Sequence, residues 1–403
     1  MEVKPGYRLT NIGSVPIDWD TVRLGELLDY EQPTKYITKD IDAESGVPVL
    51  TSNKSFLLGY TSDKTGVFDK HPIILFDDFT TDRKYVDFPF KIRSSATKIL
   101  KANRKGLNLK YIFNAFDTVK FSADDHKRYW ISEFQFLKIP YPSESEQNKI
   151  VDILDTWELA IQKKETLYNQ LLRRRKGLET GLLSGEIRFE EFQENEEKTN
   201  TYLGAIPSDW ELKTISEIVK RVKKPFTPEP ETLYREIGIR SHCKGIFHKE
   251  EVTGASLGNK SVFWIQPDCF VVNIVFAWEH AIAKTTEAEV GMIASHRFPM
   301  YKPKKGVLDL DYLLYYFKTA RGKHLLGLAS PGGAGRNKTL GQGEFAKLKI
   351  PVPSIEEQKK IVAVLSEADK EIELLQQQID VLKEQKKGLM QQLLTGEIRV
   401  KIK

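Results

Sequence analysis

The stretch LLSGEIRF at residues 182–189 returns as LLTGEIRV at residues 393–400, which is 211 positions later. The match extends backwards from each copy, because IPYPSESEQNKIVDIL from residue 139 resembles IPVPSIEEQKKIVAVL from residue 350 at the same offset. From residue 139 to residue 189, 21 of 51 aligned residues are identical. A short structural motif that occurred twice independently would not have similar sequence over so many flanking residues. The phrase therefore marks the end of a duplicated unit.

A second repeated block lies earlier in each copy. IGSVPIDW at residues 12–19 matches LGAIPSDW at residues 203–210 with an offset of 191, so the segment between the two blocks is 20 residues longer in the second copy. The chain therefore consists of two tandem copies of about 200 residues, each with a similar entrance, a divergent middle and a similar end. This period is too long for a solenoid and indicates duplicated domains.

The similar ends have the pattern of long helices. Ser143 with Glu146, and Ser354 with Glu357, fit the S-x-x-E capping box that begins a helix. The residues that follow repeat with heptad spacing, which predicts two coiled-coil helices of about 40 residues, each roughly 60 Å long. Gly185 and Gly396 stand where these helices should end. The seam positions are Ile150, Leu154, Trp157, Ile161, Lys164, Tyr168, Leu171, Arg175, Leu178 and Leu182, then Ile361, Leu365, Ala368, Ile372, Leu375, Ile379, Leu382, Lys386, Leu389 and Leu393.

Each long seam needs an equally long partner, and each helix provides one for the other. Helix one leads from the first middle to the second and helix two leaves the second, so we expect an antiparallel pair with a globular domain at each end. The predicted fold class is two α/β (α+β) recognition domains joined by two long antiparallel coiled-coil helices, an internal pseudo-twofold repeat. The predicted segments are domain one (1–142), helix one (143–185), an acidic linker (186–202), domain two (203–353) and helix two with the C-terminus (354–403).

The divergent middles mix strand-like and helix-like stretches. VPVLTSN (47–53), PIILFDDF (72–79) and CFVVNIVFAW (269–278) are β-rich, whereas LKYIFNAF (109–116) and LDYLLYYFKTA (310–320) are helical patterns. Basic and polar residues gather in the intervening loops, where they could neutralise phosphates or read base edges. The candidate DNA-binding residues are Lys35, Thr51, Asn53, Lys54, Thr80, Thr81, Arg83, Lys84, Arg93, His126, Lys127, Arg128, Arg240, His242, Lys244, His296, Arg297, Arg336, Asn337 and Lys338.

The composition excludes several classes of protein. The net charge of the 403 residues is only +5, which by itself does not indicate nucleic-acid binding. The two cysteines are far apart, which excludes a disulfide framework and argues against a zinc cluster. We see no apolar signal segment and no run of 18 apolar residues, so the expected location is the cytoplasm.

Catalytic motifs are weak in this chain. Asp78, Asp82 and Lys84 distantly resemble a metal-dependent nuclease site, and this alternative stays open. The segment SPGGAGRNKTL (330–340) resembles a phosphate-binding loop, but Asn337 stands where that loop needs its second glycine. We predict no catalytic residue, no metal site and no cofactor. A third alternative is a coiled-coil scaffold that ignores DNA.

The order of a P-x-x-W entrance, a divergent module and a capped Glu-Gln helix ending in LLSGEIR, followed by the same again, resembles the specificity subunit of type I restriction–modification systems. The resemblance covers nearly the whole chain. It implies that the divergent modules are target recognition domains, each reading one half of a bipartite DNA site. YEQPTKY (30–36), LGYT (58–61) and FDDFTT (76–81) look like one known class of such domains.

The resemblance also implies partners. The helices would set the spacer between the half-sites and dock two methyltransferase subunits, and restriction–translocase subunits would complete the complex. S-adenosylmethionine, ATP and Mg²⁺ would belong to those partners, and this chain would be a non-catalytic subunit. The phrase GEIR, with Glu186, Arg188, Glu397 and Arg399, is expected to make structural or subunit contacts and not to read DNA.

Overall fold

The computed structural model describes residues 4–42, 44–52, 55–119, 128–193, 197–332 and 338–402. The chain divides into two compact units. Unit 1 contains residues 1–166 and 377–403, and unit 2 contains residues 167–376. Each unit therefore holds one globular domain, the first half of one long helix and the second half of the other.

Unit 1 is built on two small sheets and two β-hairpin-like pairs. The four-stranded sheet has the order β4-β10-β7-β8, the three-stranded sheet has the order β6-β5-β9, and β1-β2 and β3-β11 are separate pairs. Its strands are β1 Tyr7–Thr10, β2 Gly13–Pro16, β3 Asp20–Arg23, β4 Leu28–Glu31, β5 Val47–Leu50, β6 Leu57–Thr61, β7 Ile73–Asp77, β8 Arg83–Val86, β9 Lys91–Ile92, β10 Thr97–Ala102 and β11 Lys138–Tyr141. Its helices are α1 Leu24–Leu27, α2 Leu109–Asp117, α3 Tyr129–Ser132 and the start of α4 Glu144–Ser184, with 3₁₀ turns at Pro33–Tyr36 and Phe134–Phe136.

Unit 2 repeats this order with a larger second sheet. Its four-stranded sheet is β15-β23-β20-β21, its second sheet has five strands in the order β16-β19-β22-β17-β18, and β12-β13 and β14-β24 are the separate pairs. Its strands are β12 Lys198–Thr201, β13 Gly204–Pro207, β14 Glu211–Thr214, β15 Val219–Val222, β16 Pro225–Phe226, β17 Leu233–Ile239, β18 Ile246–Thr253, β19 Val262–Trp264, β20 Phe270–Val272, β21 Ile282–Lys284, β22 Ile293–Ser295, β23 Met300–Pro303 and β24 Lys349–Val352. Its helices are α5 Ile215–Ile218, α6 Leu310–Lys318, α7 Ala320–Leu328, α8 Gln342–Lys347 and the start of α9 Ile355–Leu394, with 3₁₀ turns at Glu190–Phe192, Gly254–Leu257, Ala277–Glu279 and Glu287–Glu289.

The predicted coiled-coil helices are confirmed. Helix α4 has 41 residues and α9 has 40, and none of the twenty predicted seam residues is exposed. In unit 1, Lys386 of α9 bonds Glu158 of α4, and Lys383 pairs with Glu165. In unit 2, Arg175 of α4 bonds Asp369 of α9 at 2.8 Å. Because the residue numbers rise along one helix as they fall along the other, the packing within each unit is antiparallel.

The two polar positions in the predicted seams form equivalent ion pairs. Arg175 and Lys386 are 211 residues apart, as are their acceptors Glu158 and Asp369. A charged group in an apolar seam is tolerated when an opposite charge meets it, and such a pair fixes the register of the two helices. The same contact occurring twice confirms the internal repeat at the level of individual side chains.

The helix ends are buried in the core of each domain. Leu393 and Leu394 at the end of α9 pack with Trp19, Ile150 and Leu154 in unit 1. The equivalent cluster in unit 2 contains Leu182, Leu183, Trp210, Ile361 and Leu365. Each helix therefore ends against the domain from which the other helix begins, as the sequence predicted.

The start of each long helix differs in one respect from the predicted capping box. The hydroxyl oxygens of Ser143 and Ser354 accept from the backbone N–H groups of Glu146 and Glu357, at 3.4 and 3.2 Å. The glutamate carboxylates do not complete the box, because they accept from tryptophan and arginine side chains instead. Glu146 accepts from Trp19 Nε1 and Arg399, and Glu357 accepts from Trp210 Nε1 and Arg188.

Candidate DNA interface

Four loops in each unit are named here in chain order; loops A, B and C follow strands, whereas loop D follows a helix. In unit 1, the described residues of loop A are 51–52 and 55–56, loop B is 78–82, loop C is 93–96, and the described residues of loop D are 118–119 and 128. In unit 2, loop A is 240–245, loop B is 274–281, loop C is 296–299, and the described residues of loop D are 329–332 and 338–340. Loop A joins the β5–β6 or β17–β18 hairpin, and loop B joins β7–β8 or β20–β21.

Backbone hydrogen bonds establish which residues of the two B loops correspond. The N–H of Asp77 donates to the carbonyl of Asp82 at 2.8 Å, and the N–H of Asn273 donates to Ala281 at 2.9 Å. Each loop B has a residue of positive φ just before its closing strand, namely Thr81 at 63° and His280 at 64°. The two loops thus occupy the same topological position, although one is three residues longer and their sequences differ.

At the start of loop B in unit 1, Asp77 and Asp78 are hydrogen-bonded to loop A, to loop C and to the residue that follows loop D. Asp77 Oδ2 accepts from Ser52 Oγ of loop A at 2.9 Å, and the N–H of Asp78 donates to Ala96 of loop C at 3.1 Å. The carbonyl of Asp78 accepts from the N–H of Tyr129, immediately after loop D, at 3.0 Å. Asp77 and Asp78 therefore connect the start of loop B to loop A, to loop C and to α3.

Loop B of unit 2 is bonded to the other three loops through the backbone. Its Ile274 donates to Arg297 of loop C at 3.0 Å and accepts from Leu340 of loop D at 2.8 Å, both through the backbone. The N–H groups of His242 and Cys243 in loop A donate to the carbonyls of Glu279 and His280, at 2.7 and 2.9 Å. The backbone bonds of Asp78 and Ile274 thus correspond in the two units, whereas the bonds to loop A and the side chains that the loops present differ.

The buried imidazole of His280 lies within this scaffold. Burial, together with the nearby Lys323 and His242, lowers the pKa of His280 from 6.5 to about 4. Its Nε2 atom has no hydrogen-bond partner among the described residues. The ring is therefore neutral at physiological pH.

Most predicted contact residues of unit 1 fall in these loops. Thr51 lies in loop A, Thr80 and Thr81 in loop B, Arg93 in loop C and Arg128 at the end of loop D. Asn53, Lys54, His126 and Lys127 lie outside the described residues. Lys35 stands apart from the four loops, on the 3₁₀ turn Pro33–Tyr36. Arg83 and Lys84 lie on β8, directly after loop B.

The predicted residues of unit 2 are also grouped by the fold. Arg240, His242 and Lys244 are exposed in loop A, and His296 and Arg297 are exposed in loop C. Lys338 is in loop D, with its ammonium group 5.7 Å from the ring centre of Trp278 in loop B. Arg336 and Asn337 lie outside the described residues. The described candidates thus converge on one set of loops from distant parts of the sequence.

Two of the predicted arginines already have partners within unit 1. The guanidinium of Arg83 donates to Asp117 at 3.1 Å and lies over the Phe116 ring, and its side chain is only 12 % exposed. Arg93 is exposed but donates to the carbonyl of Lys39. Exposed Arg128 and Arg240 are better placed for DNA, although the Arg240 guanidinium rests over Phe247 at 4.9 Å.

Asp78, the first carboxylate of the possible nuclease motif, already has partners within the fold. Asp78 is 2 % exposed, forms an ion pair with buried Lys98 at 3.4 Å and accepts from the N–H of Trp130 at 2.9 Å. No group of three or more potential His, Cys, Asp or Glu metal ligands occurs in the part of the chain that the structure describes. Asp78 is therefore a structural residue that joins loop B to α3.

Sequence reasoning missed loop B of unit 2 altogether. The stretch CFVVNIVFAW was predicted as β-rich, but only Phe270–Val272 forms a strand, and the remainder turns through the loop into the 3₁₀ turn Ala277–Glu279. Asn273 is the signal that could have revealed the turn, because its Oδ1 accepts from the N–H of Val275 at 3.1 Å. The loop carries an exposed phenylalanine, Phe276.

Comparison with known proteins identifies the family. The model for the type I restriction modification DNA specificity domain matches residues 16–173 and 207–384, once in each repeat. The EcoR124I/EcoR124II specificity subunit of Escherichia coli is 30 % identical over 406 residues, covering 92 % of this chain and 93 % of that protein. The MjaVIII specificity subunit of Methanocaldococcus jannaschii is 22 % identical, covering 96 % and 94 %.

Solved structures share the fold. The type I restriction-modification S subunit from M. genitalium superposes with a TM-score of 0.58 at 14 % identity, covering 97 % of this chain and 98 % of that one. A chain from a structural study of the assembly and conformational transition of the type I restriction-modification system gives a TM-score of 0.53, also at 14 % identity, with coverage of 95 % and 99 %.

A duplicated domain that presents cationic loops on a constant frame defines a two-part DNA-recognition protein. This chain belongs to the family of type I restriction–modification specificity subunits and has two DNA recognition domains. Specificity subunits are the DNA-recognition components of these systems. No described helix combines the length and apolarity that crossing a bilayer requires.

Proposed function

We propose that this chain is non-catalytic and reads a bipartite DNA site, with loops A–D of each unit reading one half. The observation that carries the proposal is the repeated loop scaffold, in which equivalent backbone bonds present unlike side chains. Unlike side chains on like scaffolds are what an asymmetric, two-part target requires. Cations in the loops would neutralise phosphates while arginine and polar side chains read base edges.

We further propose that the long helices fix the distance between the half-sites and dock two methyltransferase subunits. Exposed apolar residues on the helices support docking, because they are unfavourable on a surface that faces only water. They are Leu159 and Val381 in unit 1 and Leu167, Leu172 and Leu374 in unit 2. One heptad adds about 10 Å of helix, which corresponds to about 3 base pairs of spacer.

In this proposal, methyl transfer and cleavage belong to partner subunits, and restriction–translocase subunits join to form the complete enzyme. S-adenosylmethionine, ATP and Mg²⁺ are needed by those partners. The buried ion pair of Asp78 with Lys98 supports the non-catalytic assignment, because it occupies the carboxylate that a nuclease site would use.

Methylome sequencing of cells with and without this gene tests the proposal. We expect deletion to erase methylation at one bipartite motif, and a plasmid copy of the gene to restore it. An unchanged methylome in a strain that expresses the partner subunits would contradict the proposal. Cleavage of DNA by the purified chain with Mg²⁺ alone would contradict the assignment as non-catalytic.

A further inference from the structure

Loop B presents an exposed phenylalanine in both units. Phe79 is 43 % exposed and Phe276 is 37 % exposed. A single apolar side chain on a surface is ordinary and needs no explanation. Here, however, the same residue type stands exposed in the same hairpin loop of two domains whose loop sequences, DFTTD and IVFAWEHA, otherwise differ. Its recurrence in a hairpin loop that is bonded to loop C in both units points to a shared task.

The backbone holds each phenylalanine in a defined position. Asp77 Oδ1 accepts from the N–H groups of Phe79 and Thr80, at 3.0 and 2.9 Å. In unit 2, Asn273 Oδ1 accepts from the N–H of Val275 and its carbonyl accepts from the N–H of Phe276, both at 3.1 Å. The backbone bonds from Asp78 and Ile274 to loop C fix each hairpin further. A side chain presented by an ordered loop loses little conformational freedom when it binds.

The surroundings of the two rings favour DNA over an apolar protein partner. In unit 1 the adjoining loops carry Arg93 and Arg128, and in unit 2 they carry Arg240, Arg297 and Lys338. These cations are suited to the phosphates that flank a groove. A phenylalanine between them is suited to the base stack, either as a wedge at a base step or as a stacking surface.

We infer that Phe79 and Phe276 insert against the base stack of the two half-sites and partly unstack the step that each one contacts. This inference rests on the proposed function, since it assigns a role within the DNA complex. It makes the phenylalanine a shared anchor, whereas the unlike polar side chains of the loops supply the sequence preference. Each ring would act on its own half-site only.

The test uses the full chain in complex with its methyltransferase partners and a duplex that carries the methylated motif. 2-Aminopurine is placed in turn at each position of each half-site, and its fluorescence is recorded on binding. We expect the native complex to raise fluorescence at one step in each half, and Phe79→Ala to abolish the rise in the first half alone. Phe276→Ala should do the same in the second half. Binding should weaken about ten- to a hundred-fold in either variant.

Two further substitutions separate stacking from general apolar contact. Phe79→Trp should keep the fluorescence rise, whereas Phe79→Leu should lose most of it. Leu9→Ala and Tyr202→Ala are matched controls, because these side chains are 70 % and 69 % exposed but lie in the β1–β2 hairpin and at the β12–β13 turn, outside loops A–D. The DNA affinity and the fluorescence rise of these two variants should equal those of the native chain.

The outcomes distinguish this inference from the proposed function. If the native complex binds the motif specifically but Phe79→Ala and Phe276→Ala bind and report like it, the inference is wrong and the proposed function stands. If the alanine variants lose methyltransferase subunits from the complex, the rings contact protein and the inference is again wrong. If no bipartite motif depends on the native chain, the proposed function itself fails.

Discussion

Arg399 donates two hydrogen bonds to the carboxylate of Glu146, at 2.7 and 2.9 Å, across 253 residues of sequence. The same guanidinium donates two hydrogen bonds to the carboxylate of Asp18. One side chain therefore joins the N-terminal part of the domain, the start of α4 and the segment after α9. Arg188 makes the equivalent contacts with Glu357 and Asp209 in unit 2. The arginine of the repeated phrase GEIR therefore holds three segments of each unit together. We call Arg188 with Glu357 and Asp209, and Arg399 with Glu146 and Asp18, the two clamps.

The two clamps should differ in strength because they differ in burial. The Arg188 side chain is 6 % exposed against 38 % for Arg399, while both glutamates are 2 % exposed. We expect Arg188→Ala to lower the free energy of unfolding by about 3–5 kcal/mol. Arg399→Ala should cost roughly half as much, since solvent screens its charge. Urea denaturation measures the unfolding free energy of both variants, with exposed Arg173→Ala as the control. Equal losses of unfolding free energy in all three variants would refute the role of the two clamps.

The glycines that end the long helices should resist substitution, unlike Gly177 and Gly388 within them. Gly185 has φ +72°, and a Cβ there would lie 2.4 Å from the ring of Pro207. Gly185→Ala should therefore cost about 2 kcal/mol or more in unfolding free energy. Gly177→Ala, in the open on the same helix, should instead add about 0.5–1 kcal/mol. The equivalent pair is Gly396 and Gly388, and thermal melts that rank either pair in the opposite order would contradict this account.

The buried His280 should make stability depend on pH. Its pKa is about 4 in the folded chain against 6.5 as the reference value, so the unfolded chain binds more protons between these pH values. The stabilising contribution is complete above about pH 6.5 and is lost as the pH falls towards 4. We expect His280→Asn to reduce the loss of unfolding free energy between pH 7 and pH 5 by on the order of 1–2 kcal/mol. Asparagine tolerates the positive φ of this position. An identical pH profile for both chains would exclude this role.

Arg128 and Arg240 should each read one half-site. Both are exposed in the loops, one in unit 1 and the other in unit 2. We expect Arg128→Ala to relax or abolish recognition of one half of the motif, and Arg240→Ala the other half, at about 1–3 kcal/mol for each base contact. Methylome sequencing of complemented strains reads both halves at once. A uniform weakening on all sequences, with a smaller salt slope, would show that they contact only phosphate.

The frame of the fold was predictable because it occurs twice. Each copy provided a check on the other, so heptad spacing, the closing glycines and the antiparallel pairing could be inferred before any coordinates. The capping box was predicted only in part, because the sequence does not show that Trp19 and Trp210 reach the glutamate carboxylates first. That competition is decided by tertiary contact.

The loops could be predicted less completely. Their cationic residues were visible in the sequence, and several of them do gather in loops A, C and D. The central place of loop B was not visible, since it depends on backbone bonds between segments as distant as Asp78 and Tyr129. The buried position of Arg83 was hidden for the same reason, and its DNA contact stays a prediction. Hydrophobic periodicity shows which face of a helix or strand is buried, but it does not show which loops contact each other.

The burial of Leu393 and Leu394 beside Trp19 has a consequence for biosynthesis. Unit 1 begins to emerge from the ribosome first, but its last segment is separated from residue 166 by the 210 residues of unit 2. At a synthesis rate of about 5–20 residues per second, unit 2 takes roughly 10–40 s to be made. During this time the core of unit 1 lacks Leu393 and Leu394. Unit 2 has its whole sequence earlier, since all of it is made without a break. The domain that is translated first is therefore the one that finishes folding last.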